Sequence, residues 1–263
     1  MAETLEYYGN ILEEEGRSIA PADDGTRHSI LLAGVLERAE IPENLSGAIF
    51  KNASENPGFF LELLMCMEGD PYLRKLVDKE HALDAGYEPD DLVELGGVQG
   101  SPAKSYRVNR ADLMLRATAE RSLEEMAAAA LADGVTLAAS SAYRSYNYQV
   151  GVYARNVREM GQEAADRESA RPGHSQHQTG LVIDFGSIDD SFARTAAGRW
   201  MSANASRFGW SLSYPDGYEH ITGYRWESWH YRYVGKDLAA FIDRYFDGIQ
   251  QYGLRFIFEW ENS

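Results

Sequence analysis

The feature that most constrains this chain is an aspartate set inside an apolar strand pattern. Residues Ser169–Gly186 read SARPGHSQHQTGLVIDFG. Leu181, Val182, Ile183 and Phe185 form a short apolar run bounded by Gly180 and Gly186, which reads as a buried strand. Asp184 lies within it. A carboxylate removed from water costs several kcal/mol unless it is paired or bound to a cation. The fold must therefore bring a partner to position 184, and His177, seven residues earlier across Gly180, is the nearest candidate. A second stretch, ESWHYRYVG over residues 227–235, supplies Glu227 and His230, three apart. Together the two stretches offer His177, Asp184 and His230 to one metal ion with a free glutamate alongside. That is the ligand set of a catalytic zinc site, with three protein ligands and a position left for water.

Each half has a plainer reading. His177 and Asp184 alone are a structural hydrogen bond. Glu227 and His230 do not form a helical metal-binding pattern, because Trp229, Tyr231 and Tyr233 argue for a strand. The conjunction is what carries weight. In it, Glu227 is better used as a general base than as a fourth ligand. Arg144, in the polar turn SAYRS after a strand end, is the candidate cation. It can stabilise a developing oxyanion or hold a terminal carboxylate by two parallel hydrogen bonds; alone, it reads as a surface ion pair.

The chain has 263 residues, 44% of them hydrophobic, enough for one large domain or one domain and a smaller one. Its net charge of −16 speaks against nucleic acid or an anionic membrane as partner. The single cysteine, Cys66, excludes an intramolecular disulfide and reads as a core thiol. No apolar run is long enough to cross a membrane. The first residues, MAETLEYYGN, lack a charged-then-apolar leader, so the chain is expected to be cytoplasmic or to have lost one.

Patterning along the chain predicts helices at Glu3–Glu15, His28–Ala39, Phe59–Met67 and Pro71–Lys79. Residues 1–84 are thus expected to be a helical segment or small accessory domain, with the catalytic domain at 85–263. His28 and His81 have no partner at metal spacing and read as structural or surface residues. Beyond them, Asn109–Gly134 reads as one helix capped by Asn109, with further helices at Asn147–Met160, Ser191–Phe208 and Lys236–Gln250. Strands are expected at Val135–Ala139, Leu181–Phe185, Trp210–Tyr214 and Trp229–Val234, with LRFIFEW as a final edge strand. Residues 161–180 read as a polar loop. The fold class expected is α+β, a central antiparallel sheet with flanking helices and an added N-terminal helical segment.

The motif series SAYRS…Q, SxHxxGxxxD and ExxWHYRYVG resembles that of the zinc D-alanyl-D-alanine carboxypeptidases. The likeness extends to L,D-carboxypeptidases of peptidoglycan tetrapeptides, to the D-Ala-D-Ala dipeptidases and to the hedgehog-like fold. It covers roughly residues 85–235, and Tyr87, Pro89, Asp91 and Leu92 fit the family's YxPxDLVxL segment. The resemblance implies one zinc ion held by His177, Asp184 and His230, with Glu227 as catalytic base and Arg144 on substrate carboxylate or oxyanion. It places Ser175 and Gln149 in the substrate pocket; His174 reads as structural or as a pocket residue. The implied activity is removal of the terminal D-alanine from peptidoglycan stem peptides, D,D- or L,D-specific. The alternatives are a peptidoglycan endopeptidase cleaving L-Ala–D-Glu bonds or cross-links, and a non-catalytic peptidoglycan-binding homologue. The implied partners are stem peptides or muropeptides, and the implied location is the cell envelope or periplasm.

Overall fold

The computed structural model describes residues 25–56, 58–96 and 103–263. The helix expected at Glu3–Glu15 lies outside the described residues. Strands are β1 (Leu92–Glu94), β2 (Arg107–Val108), β3 (Met114–Arg116), β4 (Ala138–Ser141), β5 (Val182–Phe185), β6 (Trp210–Leu212) and β7 (His230–Tyr233). Helices are α1 (Gly25–Arg38), α2 (Glu43–Glu55), α3 (Gly58–Glu68), α4 (Ala117–Ala132), α5 (Tyr146–Met160), α6 (Gln162–Glu168), α7 (Ala196–Asn204), α8 (Glu219–Thr222), α9 (Lys236–Tyr245) and α10 (Gln250–Glu261).

The main sheet has five strands in the order β2-β4-β5-β7-β6, and β1 pairs with β3 in a separate ribbon. All pairings are antiparallel except β2 with β4, which run parallel. The architecture is α+β, a sheet with flanking helices. The strands alternate as period-two patterning requires. Ile183, Phe185, Trp229 and Tyr231 fill a core beneath α4 and α7, where Leu123, Met126, Ala130 and Met201 are fully buried. Asp184 and His230 therefore point to the opposite face.

A second core joins the first and last described helices. Leu32, Val35, Leu36, Ile49, Phe59 and Leu63 of α1–α3 pack with Phe241, Ile242, Leu254, Phe256 and Ile257 of α9 and α10. The N-terminal helices thus share their apolar interior with the last two helices, not with the sheet's core. Cys66 is buried in this cluster, and burial pushes its thiol up to about 12.

Several expected elements differ. Asn109–Gly134 is not one helix: Asp112 takes a left-handed φ of 62°, and Met114–Arg116 pairs with β1 before α4 begins. Asn109 does not cap; its Nδ2 donates to Ser140 Oγ at 2.6 Å. Pro71–Lys79 is irregular because the Leu73 and Lys75 carbonyls turn to accept from the buried guanidinium of Arg232, at 3.2 and 2.7 Å. Ser191–Phe208 is broken into a short 3-10 turn, α7 and a second turn, with the Thr195 hydroxyl capping Gly198 N at 2.9 Å. Asp247 and Gly248, at φ 52° and 74°, stop α9 and restart the chain as α10. LRFIFEW is therefore helical, and Phe256 stacks on Trp260 one turn later at 5.9 Å. Helices α2 and α6 had no counterpart in the patterning. His81 has a structural role, its Nδ1 lying 2.8 Å from Asp78 Oδ1.

Candidate metal centre

The register of β5 on β7 sets Asp184 directly opposite His230, so their side chains are cross-strand neighbours on one face. His177 arrives from a 3-10 turn, Gln176–Thr179, closed by Gly180 at φ 69°. A Cβ at Gly180 would come 2.9 Å from Arg116 Cγ, so the turn that returns His177 to the strand needs glycine on both counts. Glu227 lies on the approach to β7, its N–H donating to the Tyr214 carbonyl at 3.0 Å.

The three side chains meet. One donor atom from each of His177, Asp184 and His230 falls within 4.8 Å of the others, and all three residues are buried. His177 Nε2 is 3.2 Å from Asp184 Oδ2, and His230 Nδ1 is 3.1 Å from Asp184 Oδ1. Glu227 Oε2 is 3.3 Å from His230 Nδ1. The two imidazoles stand edge to face, centroids 4.9 Å apart. His177 Nδ1 donates to the Ala142 carbonyl at 2.6 Å, which assigns the proton to Nδ1 and turns the Nε2 lone pair inward. Asp184 Oδ1 is buried without a hydrogen-bond donor. An orphaned carboxylate oxygen beside an inward imidazole lone pair fits a divalent cation of the zinc kind.

Arg144 reaches into the same cluster. Its Nη2 donates to His177 Nε2 at 2.6 Å and to Asp184 Oδ2 at 2.8 Å, and its Nε to Ser141 Oγ at 3.2 Å. The guanidinium thus supplies positive charge where these donor atoms converge. Gln149 is buried behind it, holding the Ala170 carbonyl at 2.7 Å and accepting from Arg144 Nη1 at 3.4 Å. Ser175 is buried immediately before the His177 turn. His177, Asp184, His230, Glu227 and Arg144 therefore come together, whereas His174 turns away, its Nδ1 2.8 Å from the Asp78 carbonyl.

Electrostatics follow from burial and neighbours. Burial, then the Arg144 charge, pulls the His177 imidazole down to about 4. Burial alone would raise the Asp184 carboxyl, but His177, His230 and Arg144 outweigh it and hold the group well below the usual carboxylate range. For His230, burial pulls the imidazole down, while Asp184 and Glu227 outweigh it and hold it up.

Two supports were not foreseen from sequence. The Ala142 carbonyl orients His177, and no side-chain pattern can announce a carbonyl. Tyr214 lies against the His230 ring at 4.6 Å; the only signal for it was its position at the end of a strand pattern. Behind both, Gln176 Oε1 accepts from Ser213 Oγ at 2.7 Å, and Gln250 Nε2 donates to the Ser211 carbonyl at 3.1 Å. This buried network ties the His177 turn to β6 and α10.

A buried His–Asp–His donor set with a neighbouring glutamate, on one face of a mostly antiparallel sheet, defines a metallopeptidase kind of fold. The family model "D-alanyl-D-alanine carboxypeptidase", VanY, matches residues 112–236. Bacillus subtilis YodJ is 39% identical over 173 residues, 64% of this chain and 62% of that protein, so the match spans less than two thirds of this relative's length. The structure of the LdcB LD-carboxypeptidase is 34% identical, covering 66% of this chain and 85% of that one at a TM-score of 0.57. The D,D-pentapeptidase VanY of a VanB-type vancomycin-resistance cassette, in complex with Zn(II), is 30% identical, covering 68% and 96% at a TM-score of 0.54. The chain belongs to the VanY family of D-alanyl-D-alanine carboxypeptidases.

Proposed function

We propose that this chain is a zinc-dependent carboxypeptidase that removes the terminal D-alanine from peptidoglycan stem peptides. The observation that supports it most is the convergence of His177, Asp184 and His230 with Glu227 alongside. In this reading the two imidazoles and the Asp184 carboxylate hold one zinc ion. When bound, zinc supplies Lewis acidity, acidifying water and polarising a carbonyl.

The chain's own residues do the rest. Glu227, with a side chain 12% exposed, takes a proton from the attacking water and delivers it to the leaving amine. Arg144, 20% exposed, is placed to meet the substrate's terminal carboxylate or the oxyanion as the scissile carbonyl becomes tetrahedral. Gln149 keeps the Arg144 guanidinium oriented, and Ser175 lines the pocket. In this proposal residues 85–263 carry the catalysis and residues 1–84 are accessory. The family acts on the cell wall, so the site of action proposed is the cell envelope. Among the described residues no helix is long and apolar enough to cross a membrane.

The test is mass spectrometry of defined tri-, tetra- and pentapeptide muropeptides after incubation with zinc-loaded protein and with Glu227→Ala. Wild type should release D-alanine, and a chelator should stop it. Glu227→Ala should retain zinc and lose at least about 10²-fold in rate, the low end for general acid–base catalysis. Internal cleavage instead would indicate an endopeptidase. Binding without release would indicate a non-catalytic homologue. A Glu227→Ala protein cleaving at the wild-type rate would refute the role given to that residue.

A further inference from the structure

A second polar cavity lies behind the aromatic wall of the site. It has a volume of about 300 Å³, and Lys79, Asp166, Arg167, Arg171, His174 and Tyr224 line it. Three cations face one carboxylate there, in a chain whose net charge is −16. Arg171 is held by Asp166 through two hydrogen bonds, 2.9 and 2.8 Å, and Arg167 is paired with Glu219. Lys79 is different. Its ammonium donates to the Asp166 carbonyl and sits 3.6 Å over the Tyr224 ring, with no carboxylate in hydrogen-bond contact. Burial pulls it down to about 8. Tyr224 is 3% exposed, and its hydroxyl is buried without a hydrogen-bond partner. A partly desolvated ammonium beside an unused hydroxyl donor suits an anion with oxygen acceptors.

Position relates this cavity to the site. The rings of Tyr224 and Tyr214 are 4.7 Å apart, and Tyr214 lies against His230 at 4.6 Å. Tyr214 and Tyr224 therefore form a continuous aromatic wall between the candidate metal ligand His230 and the Lys79 ammonium, which sits 3.6 Å over the Tyr224 ring. A larger cleft, about 650 Å³, adjoins the cavity through the shared residue Gly223 and is lined by Trp226, the neighbour of Glu227. Gly223, at φ 73°, also seats the lysine: a Cβ there would come 2.7 Å from Lys79 Cγ. Lys79 lies outside the stretch that matches the family model, whereas Asp166, Arg167, Arg171, His174 and Tyr224 lie inside it.

We propose, resting on the carboxypeptidase reading, that the Lys79–Tyr224 cavity is a specificity subsite for a free carboxylate on the peptide upstream of the scissile bond. In a stem peptide that group is the α-carboxylate of the γ-linked glutamyl residue, and the subsite selects the acid over its amide.

The experiment compares three substrates: a stem peptide with the free glutamyl α-carboxylate, the same peptide as the α-amide, and a diacetyl-L-Lys-D-Ala-D-Ala that lacks the glutamyl residue. Wild type should favour the acid over the amide by about tenfold in kcat/KM, carried by KM. Lys79→Gln should bring the acid to the level of the amide and leave the other two substrates unchanged. Arg171→Gln, at a side chain 56% exposed, should give a smaller change of the same kind and guards against misfolding of the first variant. Equal rates on acid and amide, or an equal loss on all three substrates, would overturn the subsite. If no substrate is cleaved, the carboxypeptidase reading fails, and titration calorimetry with the tripeptide L-Ala-γ-D-Glu-L-Lys and its α-amide still decides the subsite. Tenfold tighter binding of the acid, lost in Lys79→Gln, supports it; equal affinity sinks it.

Discussion

Replacing Asp184 by Asn keeps the volume of the side chain and removes its charge. In metal-free protein that carboxylate faces Arg144 Nη2 at 2.8 Å, His177 Nε2 at 3.2 Å and His230 Nδ1 at 3.1 Å, and it is 2% exposed. Removing one partner of a buried ion pair costs about 3–5 kcal/mol, because the other charge stays behind uncompensated. At roughly 2–4 °C per kcal/mol for a chain of this size, the melting temperature in chelator should fall by roughly 10 °C. Arg144→Met should also destabilise the metal-free protein, since it leaves the buried Asp184 carboxylate without its guanidinium donor. The double variant carries neither charge. Its loss should fall short of the sum of the two single losses by about 1.5–3 kcal/mol, the worth of a hydrogen bond to a charged group. Urea unfolding of the four proteins in chelator gives the coupling directly. Additivity within about 0.5 kcal/mol would refute the claim that the guanidinium compensates this carboxylate. Adding zinc then separates the proteins again. At a hundredfold excess over Kd, wild type should gain about 2.7 kcal/mol, and Asp184→Asn should gain far less.

Other expectations follow from the same structure. Phe256→Ala, at a fully buried ring touching Phe59, Phe241 and Phe246, should cost about 3–5 kcal/mol and loosen the N-terminal helices with α10, read by hydrogen exchange in α2 and α3. Cys66, with its thiol pushed up to about 12, should resist a thiol reagent at pH 8 until the protein unfolds; rapid labelling of native protein would contradict its burial. The Asp166 carboxyl is held at about 2, chiefly by Arg171 and then Tyr153. A depressed carboxylate contributes stability above its unfolded value near 3.9 and loses it as pH falls toward 2. Melting curves of wild type should therefore drop more steeply between pH 4 and pH 2 than those of Asp166→Asn.

Legibility in the sequence tracked how local the determining physics was. The β5 and β7 strands were readable because apolar alternation and the Gly180 and Gly186 boundaries are properties of a few adjacent residues. The donor set was readable because a lone carboxylate in an apolar run demands a partner. Where long-range contacts overrode local preference, patterning failed. Residues 71–79 gave up their helical carbonyls to the buried Arg232. Met114–Arg116 joined β1 instead of extending α4. LRFIFEW suits a strand by composition, yet its apolar residues pack against α1–α3 as a helix.

By itself the sequence determined that Asp184 must be answered by cationic or metal-binding chemistry, and which histidines stood near enough in the chain to answer it, because burying charge is costly wherever the fold puts it. Only the tertiary structure decided that Asp184 and His230 face each other across one register and that Arg144 comes between His177 and Asp184. It alone joined α1–α3 with α9 and α10 in one core and set Lys79 over the Tyr224 ring. Those facts depend on which strand pairs with which and on backbone groups that any residue carries, and neither is written in the identity of neighbouring side chains.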